Sequence, residues 1–118
     1  MTISNQTDQS WDPAPTLSMV SYCKEIAPNM DLAKVAVLLH LANEPGCTSR
    51  YLTEKMDVNQ STISRIVGYL GRGDARSKYG GLGWVSSHPD PEDPRKHRHY
   101  LTPAGKAIVL KLLVPPFH

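Results

Sequence analysis

Cysteine is scarce. The 118-residue chain has two, Cys23 and Cys47, and they lack the C-x-x-C spacing of a redox or zinc pair, so neither a disulfide framework nor a thiolate metal site is expected. Long apolar runs are missing: nothing approaches the roughly 18 residues that span a bilayer. The polar opening MTISNQTDQS lacks the apolar segment of a secretory leader. The expectation is a cytoplasmic protein with no membrane partner. Internal repeats and low-complexity blocks are absent too, and 40% hydrophobic content over 118 positions suits one core with no room for a second domain.

The parts of an enzyme are also missing. His88 and His97-x-His99 match no standard zinc spacing and have no cysteine nearby in sequence. Strand alternation puts His97 and His99 on one face, with solvent or DNA as the expected neighbour. Asp90, Glu92 and Asp93 fall in a proline-rich stretch where acidic residues serve as turn formers. The Gly-x-Gly fragments at Gly71 and Gly80 follow a helical segment and not a strand, so they do not read as a phosphate cradle. A non-enzyme without metal or bound cofactor is expected.

Net charge is only +2, yet it is unevenly spread. Residues 1–58 carry four basic against seven acidic side chains, and residues 59–118 carry nine against four. Basic charge thus collects where the motifs below lie, the footprint of a nucleic-acid face.

What is present is a pair of helices and a hairpin. In TSRYLTEKMDVNQSTISRIVGYL, Thr48 to Leu70, Thr48 caps a first helix with Leu52 and Met56 on one face. Asp57 takes the left-handed turn position at lower cost than most side chains. Asn59 caps a second helix whose inner face is Ile63, Ile66, Val67 and Leu70. Its outer face offers Gln60, Ser61, Thr62, Ser64 and Arg65, short donors and acceptors plus an arginine that suit base edges and phosphate. After the glycine-rich, basic link from Gly71 to Gly83, which includes Arg72, two strands are predicted at Trp84–Ser87 and His97–Leu101. Between them Pro89, Pro91 and Pro94 stiffen a turn that forbids regular ladder pairing. Arg95, Lys96 and Arg98 make this hairpin a probe for a minor groove or phosphate backbone.

Three of these motifs, in order and spacing, resemble the multiple-antibiotic-resistance regulator (MarR) type of winged-helix transcription factor, from Asp31 to about Leu113. They are Thr48-x-x-x-Leu52-x-x-x-Met56 followed by Val58 to Arg65, the wing signature Pro89-Asp90-Pro91-Glu92-Asp93-Pro94-Arg95, and the exit Leu101-Thr102-Pro103-Ala104-Gly105-Lys106. The resemblance implies an α+β, mainly α fold: a winged helix-turn-helix with a two-stranded wing. It implies a recognition helix at 60–70, a wing at 88–99 with Arg95 at the minor groove, and a homodimer on double-stranded DNA, most simply a repressor on a palindromic site. The family often carries a small-molecule effector pocket and in some members an oxidant-sensing cysteine in the first helix, for which Cys23 is the candidate here. Three features depart from the family: Asp57 in place of a turn glycine, the longer Gly71–Gly83 link, and short terminal helices.

The remaining segments read as scaffold. Residues 1–15 form an expected N-terminal arm with Trp11 as an anchor to the body or a partner, and 16–114 a single domain. A helix is predicted over Leu17–Ile26, and another over Asp31–Asn43 with the stripe Leu32, Val35, Ala36, Leu38, Leu39 and Ala42 facing the core. Two other readings stay open on these residues: a small winged-helix module that binds a protein partner, and a replication or partition protein that reads an origin repeat.

Overall fold

The structure, a computed structural model, describes residues 11–27, 29–72 and 81–113. Its elements in chain order are α1 (Ala14–Ile26), α2 (Leu32–Asn43), β1 (Cys47–Thr48), α3 (Ser49–Met56), α4 (Gln60–Leu70), β2 (Val85–Pro89), β3 (His97–Leu101) and α5 (Pro103–Leu112). Residues 1–10 of the expected arm and 73–80 of the link lie outside the described residues. Among the described residues no helix is long and apolar enough to cross a membrane.

Local chemistry sets the starts of four helices. The side chains of Asp31, Thr48, Asn59 and Thr102 accept the backbone N–H groups of Lys34, Tyr51, Thr62 and Gly105 at 2.9, 3.1, 2.8 and 3.1 Å, each satisfying one of the donors that a helix start leaves free. Asp57 sits at φ 55°, ψ 47°, the left-handed turn the sequence predicts. α1 begins at Ala14 and not at Leu17, because Pro13 and Pro15 suit a helix start.

α2 turns inward a face that only overlaps the predicted one, sharing Val35 and Leu38 with it. Val35, Val37, Leu38 and Leu41 are buried, whereas Leu32 is 83% exposed and Ala42 is exposed. In a helix apolar on nearly every side, spacing alone does not choose the face, and packing against α3, α4 and β3 does. The fully buried set Val37, Leu38, Leu41, Leu52, Ile63 and Leu70 makes one core under the two helices of the turn motif.

The sheet has three strands and not two, in the order β1-β3-β2, all antiparallel. β2 and β3 pair from Val85↔Leu101 to Pro89↔His97, so Pro89 closes the ladder at the end of an edge strand, where its missing N–H is tolerated. β1 pairs Cys47 with His99 and Thr48 with Arg98. Two residues show no alternation, so this strand is invisible in sequence. Its effect is large: it fastens the wing directly to the start of α3.

The start of α5 is fastened to the start of the hairpin. Thr102 N–H donates to the Trp84 carbonyl at 3.0 Å and the Thr102 hydroxyl to the Gly83 carbonyl at 2.6 Å. Gly105 packs so closely on Trp84 that a Cβ there would collide with its carbonyl oxygen. Gly105→Ala is therefore expected to lower stability by about 1–3 kcal/mol through backbone displacement. Urea unfolding checks this, and an unchanged midpoint would mean the approach is relieved at no cost.

Candidate nucleic-acid interface

Two basic or polar surfaces flank α4. On one side a groove of about 440 Å³ runs between the first turns of α3 and α4 and the wing. Its walls include Ser49, Arg50, Gln60 and Ser64 from the helices, and Ser87, Arg95, Lys96 and His97 from the hairpin. On the other side Thr62 and Arg65 line a hollow of about 540 Å³ with Asn29, Lys34 and Tyr69. α4 thus stands as a ridge with an exposed polar crest.

The predicted site residues divide accordingly. Gln60, Ser64, Arg95 and Lys96 come together at the groove. Arg65 and Thr62 lie on the opposite flank, with Arg65 Nη2 3.5 Å from the Thr62 hydroxyl. Ser61 is exposed at the tip, its hydroxyl donating to the Asn59 carboxamide oxygen at 2.8 Å. Arg72 is exposed beyond the end of α4. The Arg95 side chain is 91% exposed and, among the described residues, is anchored by Asp93 alone, at 3.2 Å.

Arg98 departs from the group. Its Nε donates to the Asp90 carboxylate at 2.8 Å and its Nη1 to the Gly46 carbonyl at 2.9 Å, so its guanidinium is engaged by the protein although the side chain stays 44% exposed. Asp90, read in sequence as a turn former, is 7% exposed. Its carboxyl is held below the ordinary value first by the Glu92 N–H and then, against burial, by the Arg98 guanidinium.

His99 departs as well. It is 3% exposed, with Nε2 2.8 Å from the Ser49 hydroxyl and Nδ1 2.7 Å from that of Ser87. Both ring nitrogens are occupied, which removes it from any metal cluster with His88 and His97. The signal that could have found it is Leu101, which shares its face of β3 and is partly buried. Burial, with the neighbouring His97 charge second, pushes the His99 pKa down from 6.5 to about 4. Burial raises the Cys23 thiol, the wrong direction for an oxidant-sensitive thiolate.

A helix-turn-helix, a three-stranded sheet with a hairpin wing and a polar ridge between them define a winged helix-turn-helix. Residues 29–72 match the family model described as MarR family. Similar solved structures include a transcriptional regulator, Tm0710, from Thermotoga maritima, with 18% identity over 84% of this chain and 62% of that one, TM-score 0.69. PcaV from Streptomyces coelicolor, in complex with its natural ligand, is 25% identical over 88% of this chain and 74% of its own, TM-score 0.62. A cysteine-to-serine mutant of MarR from E. coli, complexed with operator DNA, is 23% identical over 84% of this chain and 63% of its own, TM-score 0.62. No curated protein sequence matches the chain. This chain spans less than two thirds of the Thermotoga regulator's length. The fold is that of a winged helix-turn-helix, and its helix-turn-helix part is similar to the MarR family.

The His99 pKa gives a pH dependence with a definite sign. Above 6.5 the histidine is neutral in both folded and unfolded chains, and the full stability is present. As pH falls from 6.5 toward 4, the unfolded chain takes up a proton that the folded one refuses, so stability is lost across that window. The expected loss is about 2 kcal/mol after allowing for solvent screening. His99→Gln should be less stable at neutral pH and should lack this component. Urea midpoints at about pH 7.5 and about pH 4.5 for both proteins provide the check; equal losses in the two would assign the titration to another group.

Proposed function

We propose that the chain is a sequence-specific DNA-binding transcriptional regulator, a repressor working as a homodimer on a palindromic site. The observation that carries this reading is the groove in which the polar crest of α4 faces two solvent-exposed wing cations, Arg95 and Lys96. α4 would lie in the major groove with Gln60, Ser61, Thr62, Ser64 and Arg65 toward bases and phosphates, and Arg95 would enter the neighbouring minor groove. Its open N-terminus, with no acidic residue in the first turn, suits a phosphate. The similarity to a MarR structure complexed with operator DNA supports the same reading.

A homodimer is supported by apolar surface on the terminal helices: Leu17 and Val20 of α1, and Leu110 of α5 with Leu113 beyond it, are 62%, 43%, 71% and 47% exposed. α1 and α5 pack on each other with no residue of α1 buried, so this pair gains its missing burial in a partner. A small-molecule effector is part of the proposal. PcaV is described with its natural ligand, and here Leu41, Leu101 and Val109 line an apolar hollow of about 410 Å³ beside Lys106.

The test is a fluorescence-anisotropy titration against the DNA upstream of the protein's own gene and a scrambled duplex, over a range of salt. Preference for the native site by about a thousandfold, with a steep salt slope, is expected. Arg65→Ala should cost about 1–3 kcal/mol on the specific site and relax selectivity if it pairs with a guanine. Lys96→Ala should weaken every duplex alike and lower the salt slope by about one. Equal weak binding to both duplexes by the unaltered protein would overturn sequence-specific recognition and favour a protein-binding module.

A further inference from the structure

Arg98 reaches across the base of the wing. Its Nη1 donates to the Gly46 carbonyl at 2.9 Å and its Nε to Asp90 Oδ2 at 2.8 Å. Gly46 lies in the turn between α2 and β1, outside the hairpin; its N–H donates to the His99 carbonyl at 2.9 Å, and its φ of +82° with Tyr100 packed against it leaves it little freedom. Asp90 belongs to the wing tip. Its other carboxylate oxygen accepts the Glu92 N–H at 2.8 Å, and its own N–H donates to the Lys96 carbonyl at 2.8 Å. Lys96 N–H in turn donates to the Asp93 carbonyl at 2.9 Å, and Asp93 holds Arg95 through both its backbone N–H and its Nε. A continuous set of hydrogen bonds therefore runs from the body through Arg98 and Asp90 to the loop that carries Arg95.

We propose that Arg98 is a positioning residue: it fixes the pitch of the wing tip and so the reach of Arg95, and does not itself contact nucleic acid. This rests on the DNA-binding reading. Two physical points carry it. Were Arg98 to leave for a phosphate, the buried Asp90 carboxylate would lose its only cationic partner among the described residues and the Gly46 carbonyl would lose this donor, a poor exchange for one solvent-screened contact. Arg95, by contrast, is 91% exposed with one weak anchor and is free to move onto DNA.

The proposal is tested in the free protein and on DNA. Amide hydrogen exchange, read by NMR, should rise about tenfold at Asp90 and Glu92 in Arg98→Ala with core amides of α2 unchanged, and Arg98→Lys should fall between. Anisotropy titrations on the duplex upstream of the gene should show Arg98→Ala and Arg95→Ala each losing about tenfold in affinity and about one unit of salt slope, and the double variant losing no more than Arg95→Ala alone. Additive losses, with the slope falling by two in the double variant, would make Arg98 a direct contact and overturn the proposal. Unchanged exchange at Glu92 would overturn it independently of DNA. Altered exchange in a protein that binds no duplex would support the wing clamp while overturning the DNA-binding reading.

Discussion

The neutral imidazole of His99, held between the hydroxyls of Ser49 and Ser87, is the contact on which the groove depends. It joins the first residue of α3, the edge strand β2 and the central strand β3 in one hydrogen-bonded group. A neutral ring offers one donor and one acceptor, and each serine can supply either, so the group is satisfied without a charge. A protonated ring would have to donate at both nitrogens and be desolvated as an ion, which is the state that burial opposes. An aliphatic side chain would fill the space but would leave two hydroxyls needing other partners. Hydrogen bonding, more than apolar packing, therefore sets the distance between the wing and the helix pair.

Charge is distributed to match. Of the three basic wing residues, Arg98 pairs with the buried Asp90, whereas Arg95 pairs with the more accessible Asp93 and, like Lys96, stays at the surface. On the helices, Arg50 pairs with Glu54 at 3.3 Å, but both side chains are largely exposed, so that pair is weak and salt-screened. Arg50 can exchange its partner at little cost. Count of basic residues is thus a poor guide to the interface, because the cations differ in how much they would give up by turning toward a phosphate.

Much of this fold is legible in sequence where the determinants are local. Asn59 and Thr48 cap their helices and Asp57 makes the left-handed turn because each acts on backbone within three residues, and α4 accordingly begins and ends where its pattern predicts. The inner face of α2 is only partly legible: Val35 and Leu38 are buried as their spacing predicts, but Leu32 and Val37 are equally apolar and tertiary contacts choose between them. β1 is not legible because a two-residue strand exists only by virtue of a partner some fifty positions away. Arg98 and His99 are half legible: alternation puts them on opposite faces of β3, but which face meets the body depends on the presence of β1. Basic and polar residues near a wing are read outward by composition, and here His99 turns inward while Arg98, still 44% exposed, is tied to Asp90 and Gly46. The crest of α4 and Arg95 escaped that ambiguity, being set by the cap, the helix period and the turn.

The Gly71–Gly83 link is long, yet the entry to the wing is fixed by its ends. Its two ends are drawn together at the end of α4. Gly71 N–H donates to the Val67 carbonyl at 2.8 Å, Leu82 N–H to Tyr69 at 3.0 Å, Gly83 N–H to Gly71 at 2.9 Å and Trp84 N–H to Leu70 at 2.8 Å. Trp84 is itself buried beside Val85. The chain therefore enters β2 from the same point whatever number of residues lies between. Closing a loop between fixed ends costs only about 0.6 kcal/mol more for each doubling of its length, less than the loss of one of those backbone bonds to an unsatisfied buried group, about 1–3 kcal/mol. Length is thus absorbed in the link, and the spacing between α4 and the wing is set by hydrogen bonds at its two ends.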